Sequence, residues 1–285
     1  MNVNSQPQTL AIKNWLTDAS AQLSRIGIPS YKLDAEIILA KVLNKDRTYL
    51  HAHSDDILDI DDIKLANKLL ISRISRVPIA YINGHKEFYG RDFIVTPSTL
   101  IPRPESEDII TILKQLPLAN CHSSSIKLID IGTGSGCLGI TIKLEFPIFD
   151  VTLSDISESA LKVAKLNAKN LIADVSIAHS DLLSNYQSRP NIIVANLPYV
   201  DKTWDRSPET DHEPTLALFA DDQGLSIIKK LITQATDKLE YDGYLIIEAD
   251  PEQHNQLTEY AKNKSFNMIA HRGYILVFQL ETKNP

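Results

Sequence analysis

Four consecutive residues, Asn196, Leu197, Pro198 and Tyr199, could together orient a substrate nitrogen. They follow Ile192–Ala195, an apolar run that is typical of a buried strand. Pro198 restricts Leu197 to an extended conformation, so the Leu197 carbonyl oxygen is held in one direction, and the Asn196 side-chain oxygen is a second acceptor. Two such acceptors can bind both hydrogens of a planar NH2 group while Tyr199 packs against the flat substrate. The motif therefore predicts a site for an amide or an aromatic amine.

A nitrogen of this kind is a poor nucleophile because its lone pair is delocalised. Binding both hydrogens aligns the nitrogen with a methyl donor, and good positioning can supply roughly 7–11 kcal/mol of a reaction barrier. The acceptor dipoles also favour the positive charge that develops on the nitrogen. The expected reaction is methyl transfer from a sulfonium donor, and it needs no strong base.

A glycine-rich turn follows the buried-strand pattern of Leu128–Ile131, and it consists of Gly132, Thr133, Gly134, Ser135 and Gly136. Glycines allow a sharp turn and the close approach of a ligand, so a cofactor would lie across the carboxyl end of this strand. The next strand pattern ends at Asp155, near the ~20-residue offset at which a carboxylate binds ribose hydroxyls. Nucleoside binding is expected. The same glycines also fit the dinucleotide pattern G-x-G-x-x-G, so NAD remains an alternative at this point.

Two further aspartates lie where a bound cofactor would reach them. Asp130, in the strand before the glycine turn, could accept hydrogen bonds from loop amides or face a cationic ligand, and a sulfonium cofactor favours the second role. Asp181 follows a short strand that ends near His179, where the adenine end of such a cofactor would lie, but it could also cap a short helix. With Asn196, these aspartates complete the candidate cofactor-binding residues.

The composition excludes several classes of protein. The chain has 285 residues, 43% of them apolar, and none of its apolar runs approaches the ~20 residues of a membrane span. Cys121 and Cys137 fit neither a disulfide framework nor a zinc motif, so no metal is expected. With 29 basic and 36 acidic residues the net charge is -7, which argues against broad affinity for nucleic acid. The polar first eight residues do not resemble a secretory signal, so a cytoplasmic location is expected.

The pattern along the chain predicts two folded regions and a connector. Residues 1–80 have helical apolar spacing and a net charge of +1, which leaves -8 for the remainder, and residues 81–100 predict a β-hairpin linker around Gly90. From 101 to 285, strands alternate with helices, which is typical of a doubly wound, mostly parallel, Rossmann-like α/β sheet. The predicted strands lie near 126–131, 150–154, 175–178, 192–195, 244–248 and 274–279, and the predicted helices near 136–144, 157–170, 225–238 and 252–264.

These motifs together resemble the release factor glutamine methyltransferases. The resemblance lies in residues 76–84 (Arg-Val-Pro-Ile-Ala-Tyr-Ile-Asn-Gly), 87–90, 100–105 (Leu-Ile-Pro-Arg-Pro-Glu), 130–136, 155–161 and 196–199. It implies a class I methyltransferase domain after a helical domain and a β-hairpin. It also implies S-adenosylmethionine as the cofactor and, as the substrate, the Gln of the Gly-Gly-Gln motif in peptide chain release factors.

The resemblance implies roles for particular residues. Gly132–Gly136 would hold the methionine part of the cofactor, Asp155 its ribose, and Asp181 with Leu182 its adenine surroundings. Asn196–Tyr199 would bind the substrate glutamine. The helical domain would help to dock the release factor, and neither membrane binding nor direct nucleic-acid binding is expected.

Three parts of the sequence limit how far the family's residue roles can be assigned to this chain. Leu197 replaces the first proline of the family's usual Asn-Pro-Pro-Tyr; because this position contributes a backbone carbonyl, activity is expected with a somewhat less rigid loop. Arg103 would lie beside the cofactor pocket, or it could form a salt bridge at a helix start. His271–Tyr274 only loosely matches the family's C-terminal ending.

Two other functions fit part of the pattern. An adenine amino-group methyltransferase acting on RNA or DNA would use the same acceptor geometry, although it should also offer a basic groove. A nucleotide-binding module without catalysis would keep the cofactor site alone. An NAD-dependent dehydrogenase leaves Asn196–Tyr199 unexplained.

Overall fold

The computed structural model describes residues 10–118 and 125–282, so Cys121 and the first eight residues lie outside the described part of the chain. It contains two compact units. One comprises the chain up to Gly84 together with Ser207–His212, and the other comprises His85–Arg206 together with the chain from Glu213 onwards.

Helices dominate the first unit. Within residues 10–84 it contains α1 (Ile12–Arg25), α2 (Tyr31–Leu43), α3 (Arg47–Ala52), α4 (Ile60–Ile74), α5 (Ile79–Asn83) and the short strands β1 (Leu10–Ala11) and β2 (Ile57–Leu58). Helix α1 buries Ile12, Trp15, Ala19 and Leu23, which recur at the three- and four-residue spacing of one helix face. The helical character of this region was predicted; the β1–β2 pair was not, because two-residue strands leave no alternating pattern in the sequence.

A buried arginine joins the segment Ser207–His212 to the rest of the first unit. The Arg73 Nε donates to Asp34 Oδ2 at 2.7 Å, and its Nη1 donates to Glu209 Oε1 at 3.0 Å. Arg76 adds a second ion pair to Glu209 at 3.3 Å. Burial alone would raise the pKa of Glu209, but hydrogen bonds from Ser207 and Arg73 outweigh burial and lower this pKa to about 2. Glu209 is therefore charged at neutral pH and stabilises the packing of this segment.

The second unit begins with a hairpin and a short helix. Strands β3 (His85–Phe88) and β4 (Arg91–Ile94) pair antiparallel, and a 3₁₀ turn at Pro104–Ser106 leads into α6 (Glu107–Leu113). Pro104 suits the first turn, and the early acidic residues of α6 favour the positive end of the helix dipole. The hairpin lies within residues 81–100, where the sequence predicts it.

A seven-stranded sheet forms the centre of this unit within residues 125–282. Its strands, in chain order, are β5 (Lys127–Ile131), β6 (Asp150–Asp155), β7 (Ser176–His179), β8 (Ile192–Ala195), β9 (Tyr244–Glu248), β10 (Phe266–Arg272) and β11 (Ile275–Leu280). The spatial order is β10-β11-β9-β8-β5-β6-β7; β11 pairs antiparallel with both β10 and β9, and the other neighbours are parallel. The surrounding helices are α7 (Cys137–Glu145), α8 (Glu158–Asn170), α9 (Thr215–Leu218), α10 (Ser226–Lys238) and α11 (His254–Lys262).

Successive strand residues pack on opposite faces of the sheet. In β5, Leu128 joins the core that α6, α7 and α8 cover, whereas Ile129 joins the core under α10 and α11. Because both faces are covered, the central strands are apolar over most of their length. This architecture confirms the predicted fold class. Within the described residues no helix has the length and apolar character needed to cross a bilayer.

The chain order changes direction between β5 and β8. From β5 the chain crosses to β6 on one side, whereas β8 lies against the other side of β5. Ligands of doubly wound sheets bind at such a switch point, outside the carboxyl ends of the strands. Ile131 pairs with Ala195 in register, so the residues that follow the two strands, Gly132 and Asn196, leave the sheet side by side.

Candidate active site

The glycine loop connects β5 to α7 and has three residues in the left-handed region. Gly132, Gly134 and Gly136 have φ values of +70°, +57° and +81°. A Cβ at Gly132 would lie 2.8 Å from the Leu197 side chain, so glycine permits the close approach of the loops that follow β5 and β8. A Cβ at Gly134 would meet no protein atom closer than 4.0 Å. The loop thus leaves open space beside Gly134.

Asp130 lies under this loop and is almost fully buried. Its Oδ2 accepts hydrogen bonds from Thr133 Oγ1 at 2.6 Å and from the Gly139 backbone N–H at 3.0 Å. Burial raises the pKa of Asp130 from 3.8 to about 6, and these two hydrogen bonds oppose the rise. A buried carboxylate beside a cavity would gain from a cationic ligand.

Asp155 ends β6 and faces the same loop. Its Oδ2 accepts from the Gly134 N–H at 2.9 Å, and its Oδ1 accepts from the Ser157 N–H at 2.8 Å. Burial raises the pKa of Asp155, while the backbone N–H groups of Ser157 and Gly134 lower it. Each oxygen retains a further lone pair that a hydroxyl group could use.

Asp181 and Leu182 lie in a turn after β7. Asp181 Oδ2 forms a half-exposed ion pair with Lys230 Nζ at 2.6 Å. The segment is a turn rather than a helix, so the alternative role of Asp181 as a helix cap is wrong. Leu182 is buried and has a φ of +52°, and both residues line the cavity described below.

Asn196 and Tyr199 are joined to two residues that the sequence reasoning did not select. Asn196 Nδ2 donates to Ser106 Oγ at 2.9 Å, and Ser106 Oγ donates to Glu248 Oε2 at 2.5 Å. The Tyr199 hydroxyl donates to Glu248 Oε1 at 3.1 Å. Burial, followed by the nearby Glu248 carboxylate, raises the pKa of Tyr199, so this hydroxyl stays protonated. The available sequence signal was an acid, Glu248, directly after the apolar run Leu245–Ile247.

A cavity of about 670 Å³, within the size range of small-molecule sites, borders both the glycine loop and Asn196. It is lined by all the predicted site residues except Gly136 and Tyr199, namely Asp130, Gly132, Thr133, Gly134, Ser135, Asp155, Asp181, Leu182, Asn196, Leu197 and Pro198. Gly136 instead is the N-cap residue of α7, and the Tyr199 hydroxyl is directed to Glu248. The structure therefore brings both predicted groups, the glycine loop and the acceptor motif, to one cavity.

Arg103 also lines this cavity and forms an ion pair. Its Nη2 lies 2.6 Å from Glu213 Oε1, while Glu213 Oε2 accepts from the Ile101 N–H at 3.1 Å. Both expectations for Arg103 are therefore met, because it borders the cavity and also forms a salt bridge near a helix start. Within the described residues no cluster of His, Cys, Asp or Glu could hold a metal ion.

Comparison with known proteins agrees with this geometry. Residues 14–84 match the PrmC N-terminal domain, and residues 110–211 match the methyltransferase small domain. The release factor glutamine methyltransferase of Koribacter versatilis is 37% identical over 254 residues, covering 85% of this chain and 89% of that protein. The chain belongs to the release factor glutamine methyltransferase family. The Coxiella burnetii relative of the same name is 34% identical over 266 residues, covering 92% of this chain and 94% of that protein.

Other similarities are partial. The chain spans about half the length of the bifunctional methyltransferase of Rickettsia bellii, to which it is 34% identical over 278 residues and 87% of its own length. The structure of the Thermus thermophilus 16S rRNA N2 G1207 methyltransferase shares 15% identity with a TM-score of 0.51, covering 70% of this chain and 50% of that chain. This structural likeness supports the class I methyltransferase fold.

Members of this family are S-adenosylmethionine-dependent methyltransferases, and S-adenosylmethionine is the cofactor. The cavity fits such a molecule. The loop leaves open space beside Gly134, the buried Asp130 carboxylate suits a cation, and Asp155 offers acceptors for a diol. Family membership decides between the two nucleoside alternatives that the glycine pattern left open.

Proposed function

We propose that this protein methylates the side-chain amide nitrogen of the Gln in the Gly-Gly-Gln motif of peptide chain release factors. The observation that carries the proposal is that one cavity is lined both by the glycine loop and by Asn196, Leu197 and Pro198 of the neutral acceptor motif. Membership of the family supports the same substrate. The proposal includes a cytoplasmic location, because release factors act there in translation termination.

The proposed mechanism depends on orientation. Bound S-adenosylmethionine supplies an electrophilic methyl group on a positively charged sulfur. The Asn196 Oδ1 and the Leu197 carbonyl accept the two hydrogens of the substrate NH2, so that its nitrogen faces the glycine loop side of the cavity. The same acceptors would favour the positive charge that develops on the nitrogen, and the methylated nitrogen would then release one proton to water. None of the residues in this motif acts as a strong base.

The cofactor roles are part of the same proposal. Gly132–Gly136 hold the methionine part, Asp155 holds the ribose, and Asp181 with Leu182 border the adenine. The helical domain, residues 1–80, is proposed to help dock the release factor, with 81–100 as the linker and 101–285 as the methyltransferase domain. The net charge of -8 beyond residue 80 supports a protein substrate over a nucleic acid.

The deciding experiment incubates the full chain with methyl-labelled S-adenosylmethionine and one of three acceptors. These are a release factor, the same factor with Gln→Ala in its Gly-Gly-Gln motif, and RNA containing unpaired adenines. Label should enter the intact release factor alone. Label in the Gln→Ala factor or in the RNA would contradict the proposed substrate.

A further inference from the structure

A chain of buried hydrogen bonds lies behind the acceptor motif. It runs from Asn196 Nδ2 to Ser106 Oγ at 2.9 Å and from Ser106 Oγ to Glu248 Oε2 at 2.5 Å, and the Tyr199 hydroxyl meets the other oxygen of Glu248 at 3.1 Å. Ser106 and Glu248 are 3% and 1% exposed. Water therefore has little access to the Ser106–Glu248 bond, while Asn196 and Tyr199 at the two ends of the chain are partly exposed.

The directions of these bonds follow from the number of protons available. An ionised carboxylate can only accept, so both Ser106 and Tyr199 must donate to Glu248. Ser106 has one hydroxyl proton and has used it, so its oxygen can only accept from Asn196. The group of Asn196 that faces Ser106 is thus its NH2 group. The two ends of an Asn amide are hard to tell apart by shape, but here the network distinguishes them.

We propose that Ser106 and Glu248 are positioning residues that fix the Asn196 amide with its oxygen toward the cavity and anchor Tyr199 beside it. This inference rests on the proposed function, in which Asn196 Oδ1 accepts a hydrogen from the substrate NH2. With the amide turned over, the NH2 of Asn196 would face the NH2 of the substrate, and two donors would repel each other. The network therefore selects a primary amide, or another flat NH2 group, as the occupant.

Glu248 also illustrates the energetic cost of this arrangement. Burial raises its pKa, while hydrogen bonds from Ser106 and Tyr199 lower it; Glu105 adds to the rise and Arg103 opposes it. A buried charge with two hydroxyl donors is expensive compared with an apolar residue of similar size. A neutral acid could donate to Ser106 and free the serine proton for Asn196 Oδ1, which would turn the amide over. Only the ionised form fixes one orientation.

Glu248→Gln tests the network because it keeps the size and removes the charge. Glutamine has one acceptor oxygen in place of two, so one of the bonds to Ser106 and Tyr199 must be lost or reversed. Ser106→Ala removes the intermediate hydroxyl, and Ser106→Thr retains it. Thr141→Val is the matched control, because Thr141 is fully buried and its hydroxyl has no hydrogen-bond partner among the described residues.

Two readouts separate positioning from general damage. In NMR spectra, the Asn196 NH2 protons should exchange with water about tenfold faster in Glu248→Gln and Ser106→Ala, whereas those of Asn167, bonded to Ile94 O and Ser135 O, should not change. With the release factor, kcat should fall roughly 10- to 100-fold in both variants, the loss expected when a reacting group is misplaced. Cofactor affinity should stay within about twofold, and Ser106→Thr and Thr141→Val should behave like wild type.

Each result has a definite meaning. Unchanged Asn196 exchange in both variants would overturn the inference, and so would losses of cofactor affinity as large as the losses of kcat. If wild type fails to methylate any Gln while Asn196 exchange still responds, the network fixes the amide but the proposed function is wrong. If wild type methylates Gln and the variants match its kcat, the proposed function stands and the positioning role is wrong.

Discussion

The two sides of the cavity use different physical means to hold a ligand. On the side of β5 and β6, the buried carboxylates of Asp130 and Asp155 are bound to loop hydroxyl and N–H groups. On the side of β8, the neutral residues Asn196 and Leu197 line the cavity, and Asn196 is linked through Ser106 to the buried carboxylate of Glu248. The first side suits a cation and depends on ionisation. The second depends on the orientation of its hydrogen-bond acceptors. Substitutions on the first side should therefore lower cofactor affinity, and substitutions on the second side should lower kcat.

The largest effect is expected from Asn196→Ala. Losing an oriented group that stabilises developing charge typically costs about 10²- to 10³-fold in kcat, whereas the cofactor affinity should change by less than about threefold. Single-turnover methyl transfer and calorimetric titration with S-adenosylmethionine measure the two quantities. A kcat near that of wild type would remove Asn196 from the mechanism.

Gly134→Val should mainly lower cofactor affinity, in contrast to Asn196→Ala, which should mainly lower kcat. Its side chain would enter the open space beside the loop, so cofactor affinity should fall by at least about 100-fold, while a left-handed φ adds a strain of about 1–2 kcal/mol. Gly90→Val is the control, because Gly90 has a φ of +72° and a Cβ added there would meet no atom within 4 Å. Equal cofactor affinity in both variants would contradict the placement of the ligand.

Asp130→Asn should strengthen the fold and weaken cofactor binding. The hydrogen bonds from Thr133 and Gly139 both end on one oxygen of Asp130, Oδ2, so an amide oxygen in that place keeps them. Burial raises the pKa of Asp130 from 3.8 to about 6, so the folded state binds this proton more tightly than the unfolded state does. The stability that the bound proton contributes is therefore lost as pH rises from about 4 through 6. The variant should lack that dependence and be more stable at pH 7 by up to about 3 kcal/mol.

The same substitution should also change cofactor binding and its dependence on pH. Without the buried charge, affinity for S-adenosylmethionine should fall about tenfold, since hydrogen bonds to charged groups contribute about 1.5–3 kcal/mol. In wild type this affinity should rise with pH through about 6 and then level off, because the ligand favours the ionised acid. Urea unfolding and calorimetry at several pH values measure both trends. A variant that is destabilised and binds normally would reverse the prediction.

Leu197→Pro should have the smallest effect. The position contributes its carbonyl, and proline keeps this group while stiffening the loop, so kcat should change by less than about threefold. The lost contacts of the buried Leu197 side chain with the neighbouring core oppose this gain. A loss of kcat comparable to that of Asn196→Ala would show that the leucine side chain itself has a role.

Most of the successful sequence predictions came from patterns within short stretches of the chain. Apolar runs that end in glycine or Asn-Leu-Pro-Tyr are local, and they identified β5, β8 and the loops that follow them. Strand β10 escaped detection because it lies at the edge of the sheet and, within it, only Phe266 is buried, so no alternating pattern marks it. Its partner β11 was predicted one residue early.

The sequence did not predict contacts between residues that are far apart in the chain. Ser106 and Glu248 are 142 positions apart, and only the sheet order brings them together behind Asn196. The ion pair of Asp181 with Lys230 likewise joins two separate elements. Each of these side chains taken alone has an ordinary interpretation as a surface or helix-start residue, so spacing cannot reveal their partners.

The short segment Ser207–His212 has a practical consequence for module exchange among relatives. Although it lies far along the chain, its Glu209 completes the ion pairs of Arg73 and Arg76, so the helical unit is built from two separate stretches of the gene. A chimaera that transplants only the first 84 residues would deprive Arg73 and Arg76 of Glu209, leaving Arg73 with the Asp34 carboxylate alone, and would place the host hexapeptide beside foreign neighbours. Successful grafts should carry both stretches from one parent.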